Sequence, residues 1–192
     1  MVTLNKIYTR TGDGGKTRLS TGEPVAKNDI RVEAYGAVDE TNAALGVARL
    51  HTGDDPVLDA MLGRIQNELF DLGADLATPD RAKSLGWEPL RILDSQVARL
   101  EAEIDQLNAD LPELASFILR GGRPAAAYLH LACTISRRAE RVAVALASQP
   151  DEVVSPAVMK YLNRLSDLLF VAARWANGKA ADDVLWKPGA TR

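Results

Sequence analysis

A chain of 192 residues can bury roughly 70% of its unfolded surface in one domain. Its composition, 46% hydrophobic, 26% charged and only 5% aromatic, excludes disordered, collagenous and disulfide-framework classes. A net charge of -3 argues against a nucleic-acid partner, because phosphate-backbone binding needs clustered positive charge, and no apolar run approaches the roughly 18 residues of a membrane span.

The opening Met1-Val2-Thr3-Leu4-Asn5-Lys6 lacks the basic-then-apolar layout of a secretory signal, and the single cysteine, Cys133, cannot form an intrachain disulfide. A cytoplasmic protein is expected. The first thirty residues are the least helical and hold the run Tyr8-Thr9-Arg10-Thr11-Gly12-Asp13-Gly14-Gly15-Lys16-Thr17-Arg18, followed by Lys27. Helical spacing begins at Ile30 and continues through Ala34, Val38, Thr41, Leu45 and Ala48, with Asn28 or Asp29 as cap. From Pro56 a stripe of Leu58, Met61, Leu62, Ile65, Leu69, Leu72 and Leu76 predicts a second helix that stops at Thr78-Pro79. Leu93, Val97, Leu100, Ile104 and Leu107 alternate steps of four and three, predicting a third helix over 90–108.

Pro124 sits where a first-turn proline belongs, and Ala127, Leu131, Ile135, Val142 and Leu146 carry a fourth helix to about Ser148. Ser155 caps a fifth helix with Pro156 in its first turn, which runs through Val158, Leu162, Leu165, Leu169 and Ala172 to Asn177-Gly178. Together these predict an all-α, up-and-down five-helix bundle as a single domain over 1–192. Within it, 1–28 is an irregular loop, 29–178 the bundle and 179–192 a tail. Glycines 36, 46, 63 and 73 fall inside the first two helices, where each marks either close helix contact or a kink.

Three constellations carry possible chemistry. In the amino-terminal run, glycines leave backbone N–H groups open to an anion, hydroxyls donate, and Arg and Lys neutralise it, which describes a phosphate cradle. It is not a Walker A loop, since Arg10 stands where the first glycine belongs and Pro24 opposes a following helix; a glycine-rich surface turn is the bland alternative. On the fourth helix, Arg137-Arg138-Ala139-Glu140-Arg141 places Arg137 and Arg141 about 40° apart, with Glu140 beside them to orient one, Arg138 pointing elsewhere, and His130 and Cys133 continuing the face. Two arginines so held can grip a polyphosphate with bonds of roughly 1.5–3 kcal/mol each; the alternative is a solvated charged stripe. On the fifth helix, Asn163, Asp167, Phe170 and Arg174 share a polar face that either pairs with other helices or lines a site. His51 and His130 lie far apart in sequence and do not suggest a metal cluster.

The segments Tyr8 to Thr17, Glu33-Ala34-Tyr35-Gly36-Ala37-Val38-Asp39-Glu40, Ser116-Phe117-Ile118-Leu119, Arg137 to Arg141 and Tyr161 to Asp167 resemble, in this order, those of the PduO-type ATP:cob(I)alamin adenosyltransferases. The resemblance implies a homotrimer with ATP between the amino-terminal loop of one chain and the arginine-bearing helix of its neighbour. The implied reaction moves the 5′-deoxyadenosyl group of ATP to the cobalt of cob(I)alamin, giving adenosylcobalamin and triphosphate, with Mg²⁺ as cofactor. It assigns Thr9, Arg10, Thr11, Gly12, Thr17, Arg18 and Lys27 to the phosphates, together with Arg137, Arg138, Ala139, Glu140 and Arg141, and assigns Asn163 to the ribose. Arg137, Arg141 and Phe117 are the implied catalytic residues, Phe117 by packing under the corrin and excluding the lower axial ligand.

Two positions depart from the family pattern: Arg120 stands in place of a proline, and Cys133 in place of an arginine that pairs with the aspartate matching Asp39. Arg120 or Arg123 is expected to supply that charge, and Trp186 to anchor or cover the corrin. A cobalamin reductase and an adenosylcobalamin-dependent enzyme are the implied protein partners. A corrinoid- and ATP-binding delivery or regulatory protein with little turnover is the competing function, and a helical oligomer with salt-bridged charged stripes is a third.

Overall fold

In the computed structural model, residues 7–80 and 85–192 are described. The opening hexapeptide read above for a targeting signal lies outside them. Asp29 caps the first helix, its carboxylate accepting from the Arg31 N–H at 2.8 Å, and α1 runs Ile30–Arg49. Asp55 caps α2, Pro56–Leu76, by accepting from the Leu58 N–H at 3.0 Å, with Pro56 in the first turn. The third helix, α3, spans Asp94–Asn108 and starts four residues later than the spacing suggests, because Leu93 is its cap. Then α4 spans Pro124–Ala147, and α5 spans Pro156–Ala176 with Ser155 as cap. No helix of the described residues is long and apolar enough to cross a membrane.

The α2 stripe shows why the bundle holds. Leu58, Leu62, Ile65, Leu69, Leu72 and Leu76 are almost wholly buried, each contributing roughly 1.5–3 kcal/mol by leaving water. Spatial order differs from chain order: α4 packs between α1 and α5, α1 also meets α2, and α3 lies along α5. Contacts at the helix ends fix the directions. Arg31, at the start of α1, donates to the Leu76 carbonyl at the end of α2, whereas His51, just past α1, stacks at 5.3 Å on Tyr128 near the start of α4. Trp175, at the end of α5, donates to Asp55 at the start of α2. One end of the bundle therefore gathers the start of α1 and the end of α2; the other gathers the starts of α2 and α4 and the end of α5.

Buried polar groups are joined into networks. Glu68 accepts from the Tyr161 hydroxyl at 2.7 Å and from Arg64 at 2.6 Å, and Arg64 also pairs with Glu103. Burial and the Glu68 charge push the Tyr161 phenol above its ordinary value, so it remains a donor. Of the four helical glycines, Gly46 and Gly63 answer to close contact, since an added Cβ would sit 3.3 Å from the Gln66 amide and 3.1 Å from the Arg49 guanidinium respectively. Gly36 and Gly73 face open space.

The amino-terminal segment is more ordered than an irregular loop. Strands β1, Lys16–Arg18, and β2, Pro24–Ala26, pair antiparallel with Thr17 opposite Val25. The hairpin escapes a periodicity reading because three residues are too few to alternate. Its tip is pinned to the bundle by buried Leu19 and by Ser20, whose hydroxyl donates to the Ala77 carbonyl at 2.8 Å.

Candidate functional site

The Lys27 N–H donates to the Gly15 carbonyl at 2.8 Å and ties the chain after β2 back to the loop before β1. Inside that closure Gly12 lies against Lys27, where an added Cβ would sit 3.0 Å from Nζ and 3.3 Å from the Lys16 carbonyl. Arg10 takes a left-handed conformation, φ 62°, with its guanidinium 5.7 Å from the Tyr8 ring. Thr9 and Thr11 share a hydroxyl hydrogen bond of 2.8 Å, and the Arg18 guanidinium donates to the Gly22 carbonyl at 2.7 Å. The result is a groove of about 740 Å³ lined by loop and hairpin residues alone, among them Thr9, Arg10, Thr11, Gly12, Thr17, Arg18 and Lys27. Four cationic side chains, Arg10, Lys16, Arg18 and Lys27, face it against one carboxylate, Asp13. That balance suits a polyanion.

The α4 set lies elsewhere. Arg137 and Arg141 are exposed, and Arg141 donates to the Arg137 carbonyl at 3.0 Å. Arg138 turns to α1 and pairs with Glu40, a partner that spacing along α4 could not reveal. Among the described residues Glu140 pairs with no arginine: it accepts from the Asn163 amide at 2.8 Å, joining α4 to α5. Ala139 is fully buried and presents no side chain to a ligand.

His130 and Cys133 do not extend the charged face, because α5 covers that half of α4. The Cys133 thiol donates to the Ser166 carbonyl at 3.2 Å, and burial raises its pKa. Burial, reinforced by the nearby Arg120 charge, pulls the His130 imidazole down to about 4, and its Nδ1 lies 3.0 Å from the Arg120 guanidinium. On α5, Arg174 is buried in an ion pair with Asp183, while Asp167 is exposed.

Phe117 is 77% exposed, far from any core role, and sits at the end of the bundle opposite the hairpin. The carboxyl-terminal segment runs back alongside it. Leu119 N–H donates to the Val184 carbonyl at 2.8 Å, Trp186 N–H donates to the Phe117 carbonyl at 2.7 Å, and the two rings lie 6.1 Å apart. Arg120 lies 5.2 Å over the Phe170 ring, and Arg123 pairs with Asp182 at 2.8 Å, so both candidate replacements for the missing family arginine have contacts within their own chain. Asp39 is exposed on α1.

A family model described as cobalamin adenosyltransferase matches residues 7–176. A corrinoid adenosyltransferase from Mycobacterium leprae is 50% identical over 188 residues, covering 97% of each chain. The corrinoid adenosyltransferase PduO from Citrobacter freundii is 44% identical over 168 residues, 88% of this chain and 49% of that longer one. Among solved structures, a phenylalanine-to-histidine variant of a PduO-type ATP:corrinoid adenosyltransferase from Lactobacillus reuteri, complexed with cobalamin and ATP, superposes with a TM-score of 0.85. It is 41% identical, with 95% of this chain and 97% of that one covered.

Proposed function

Because this chain belongs to the PduO-type cobalamin adenosyltransferases and carries out ATP-dependent adenosyl transfer to cobalamin, we propose that its cationic groove, with Thr9, Arg10, Thr11, Gly12, Thr17, Arg18 and Lys27, holds the triphosphate of ATP. The observation that carries the assignment is the four-to-one excess of cationic over acidic side chains lining that groove. Arg137 and Arg141 complete the phosphate site from a neighbouring subunit, with Arg138 braced on Glu40 beside them. Asn163, held by Glu140, meets the ribose. The loop groove and Phe117 lie at opposite ends of one chain, so a site that brings ATP to cobalamin needs two copies, which supports a homotrimer with shared sites. Leu131 and Val144, exposed on α4, offer apolar surface for that contact.

Chemically the protein needs alignment more than proton transfer. The cobalt(I) electron pair attacks the ATP 5′-carbon, the carbon–oxygen bond breaks, and triphosphate leaves with that bond's electrons. Arg137 and Arg141 meet the charge that develops on the leaving oxygens, where fixed cations act without reorganising. Mg²⁺ would supply further charge neutralisation on the triphosphate oxygens rather than in a protein cage, since no group of three or more His, Cys, Asp or Glu among the described residues could hold an ion; Asp13 is the carboxylate that would face its water shell. Exposed Phe117 packs beneath the corrin with Trp186 beside it, keeping out a lower axial ligand and making cobalt(I) easier to reach.

The hairpin and tail both pack on the bundle, which supports one domain over 1–192. A buried, unpaired Cys133 fits a reducing compartment such as the cytoplasm. The reaction calls for a reductase that supplies cobalt(I) and an enzyme that consumes adenosylcobalamin.

An anaerobic assay with ATP, Mg²⁺ and chemically reduced cobalamin tests the chemistry: adenosylcobalamin should appear in step with triphosphate, and its absence overturns the reading. Shared sites are tested by refolding together Lys27→Ala and Arg137→Ala chains, each impaired alone. Mixed trimers regain some sites with both residues intact, so partial recovery of activity is expected, and none would mean that each chain builds its own site.

A further inference from the structure

Beyond α5 the backbone does something rare. Gly178, Lys179 and Ala180 are all left-handed, with φ of 67°, 52° and 69°, and two of the three non-glycine residues with positive φ among the described residues stand here. Such a run survives only where the surroundings over-determine it. Buried Arg174 donates from Nε to Asp183 at 3.1 Å and from its terminal nitrogen to the Pro112 carbonyl at 2.7 Å. Asn177, also buried, donates to the other Asp183 oxygen at 2.9 Å and accepts from the Arg123 N–H at 3.0 Å. Its carboxamide fills a hollow that exists because residue 122 is glycine: a Cβ there would come within 2.3 Å of Oδ1.

These contacts clasp two segments that carry the exposed aromatic pair. On one side, Asn177 holds the Gly122-Arg123 loop that leads back to Phe117. On the other, Asp183 is the last anchored residue before the strap whose Val184 and Trp186 pair with Leu119 and Phe117. The Ser116 hydroxyl closes the far end by donating to the Trp186 carbonyl at 2.8 Å. Phe117 lies outside the bundle core, so its direction is set by this strap and by the clasp behind it.

We propose that Arg174, Asn177 and Asp183 form a buried clasp of positioning residues that sets the Phe117 loop and the Trp186 strap for cobalamin without touching either substrate. The proposal rests on the assignment of Phe117 to the corrin. Asp183→Asn weakens the Arg174 pairing at almost unchanged volume, and Gly122→Ala drives the Asn177 carboxamide from its hollow while leaving the ion pair intact.

In the full-length protein, each variant should raise the KM for cob(I)alamin or lower kcat at least fivefold, with the KM for ATP within twofold of the parent. The Leu119 and Trp186 amides, which donate across the strap, should exchange hydrogen at least tenfold faster while those of α1 and α2 keep their rates. Gly122→Ala carries the test if Asp183→Asn does not fold. Faster exchange with unchanged cobalamin kinetics overturns the proposal, as does a cobalamin defect with unchanged exchange or an equal rise in both KM values. Phe117→Ala separates the two layers: if it leaves cobalamin kinetics untouched, the corrin assignment falls and the clasp's role with it. If Phe117→Ala impairs cobalamin use and neither clasp variant does, the assignment stands and the clasp proposal alone falls.

Discussion

Two groups of arginines among the described residues differ in their partners. Arg31, Arg49, Arg64, Arg91 and Arg174 each meet at least one carboxylate, and most also donate to a carbonyl or amide oxygen. Arg10, Arg137 and Arg141 meet no carboxylate among the described residues, and they stand on the loop and on the solvent side of α4. The first population ties helices to one another or to the loops and tail packed against them, since a charge removed from water is tolerable only when paired and hydrogen-bonded. The second, in the proposed function, keeps its charge for the triphosphate of ATP. Partnership within the chain thus distinguishes the arginines that hold the fold from those proposed to meet substrate, a distinction that residue type cannot make.

The sharpest break of that comparison is Arg64→Ala. It removes the nearer of two arginine partners of Glu68, whose side chain is 6% exposed, leaving the Tyr161 hydroxyl and Arg99 at 3.4 Å, and should cost about 2 kcal/mol of unfolding free energy in urea titration. Arg137→Ala should do the reverse, lowering kcat/KM by roughly ten- to a hundredfold, the worth of one charge-assisted bond, while leaving the urea midpoint in place.

His130 adds a pH dependence to the structural side. Its folded pKa of about 4 lies below the ordinary 6.5, so the unfolded chain binds the extra proton first. Its contribution is intact above pH 6.5 and is lost as pH falls toward 4, by up to about 3 kcal/mol. Urea titrations between these limits should show that slope, and His130→Gln should flatten it.

The smallest effects compare two glycines. Gly12→Ala puts a Cβ 3.0 Å from Lys27 Nζ and should raise the KM for ATP a few-fold with little change in stability. Gly63→Ala puts a Cβ 3.1 Å from the Arg49 guanidinium, which Asp59 and Gln66 hold, so the cost of displacing it offsets the up to about 1 kcal/mol of propensity that the helix gains. Its net effect on the melting curve should be slight and its effect on activity absent.

Helix positions were legible because each helix advertises itself locally: Asp29, Pro56, Pro124 and Ser155-Pro156 mark starts, and apolar stripes mark the buried faces. The cradle residues were legible for a similar reason, since glycines, hydroxyls and cations fall within one short run. Glu40 as the Arg138 partner and Glu140 as the Asn163 holder were not, because each pair spans two helices and no periodicity along one helix names the residue opposite. The clasp was hidden as well. Asn177-Gly178 reads as a helix stop, and only the fold shows Asn177 reaching Gly122, Arg123 and Asp183.

Interactions within a few residues dictate the local grammar: five amphipathic helices, their caps, and a cationic glycine-rich loop. Which charges are neutralised follows instead from how the helices pack. That packing buries His130 and Cys133 under α5, leaves Arg137 and Arg141 in solvent, sets Phe117 outside the core beside Trp186, and places the loop at the opposite end of the bundle. Those outcomes depend on which helices lie against one another, and the energy of a charge or an aromatic ring is set by the neighbours that packing provides.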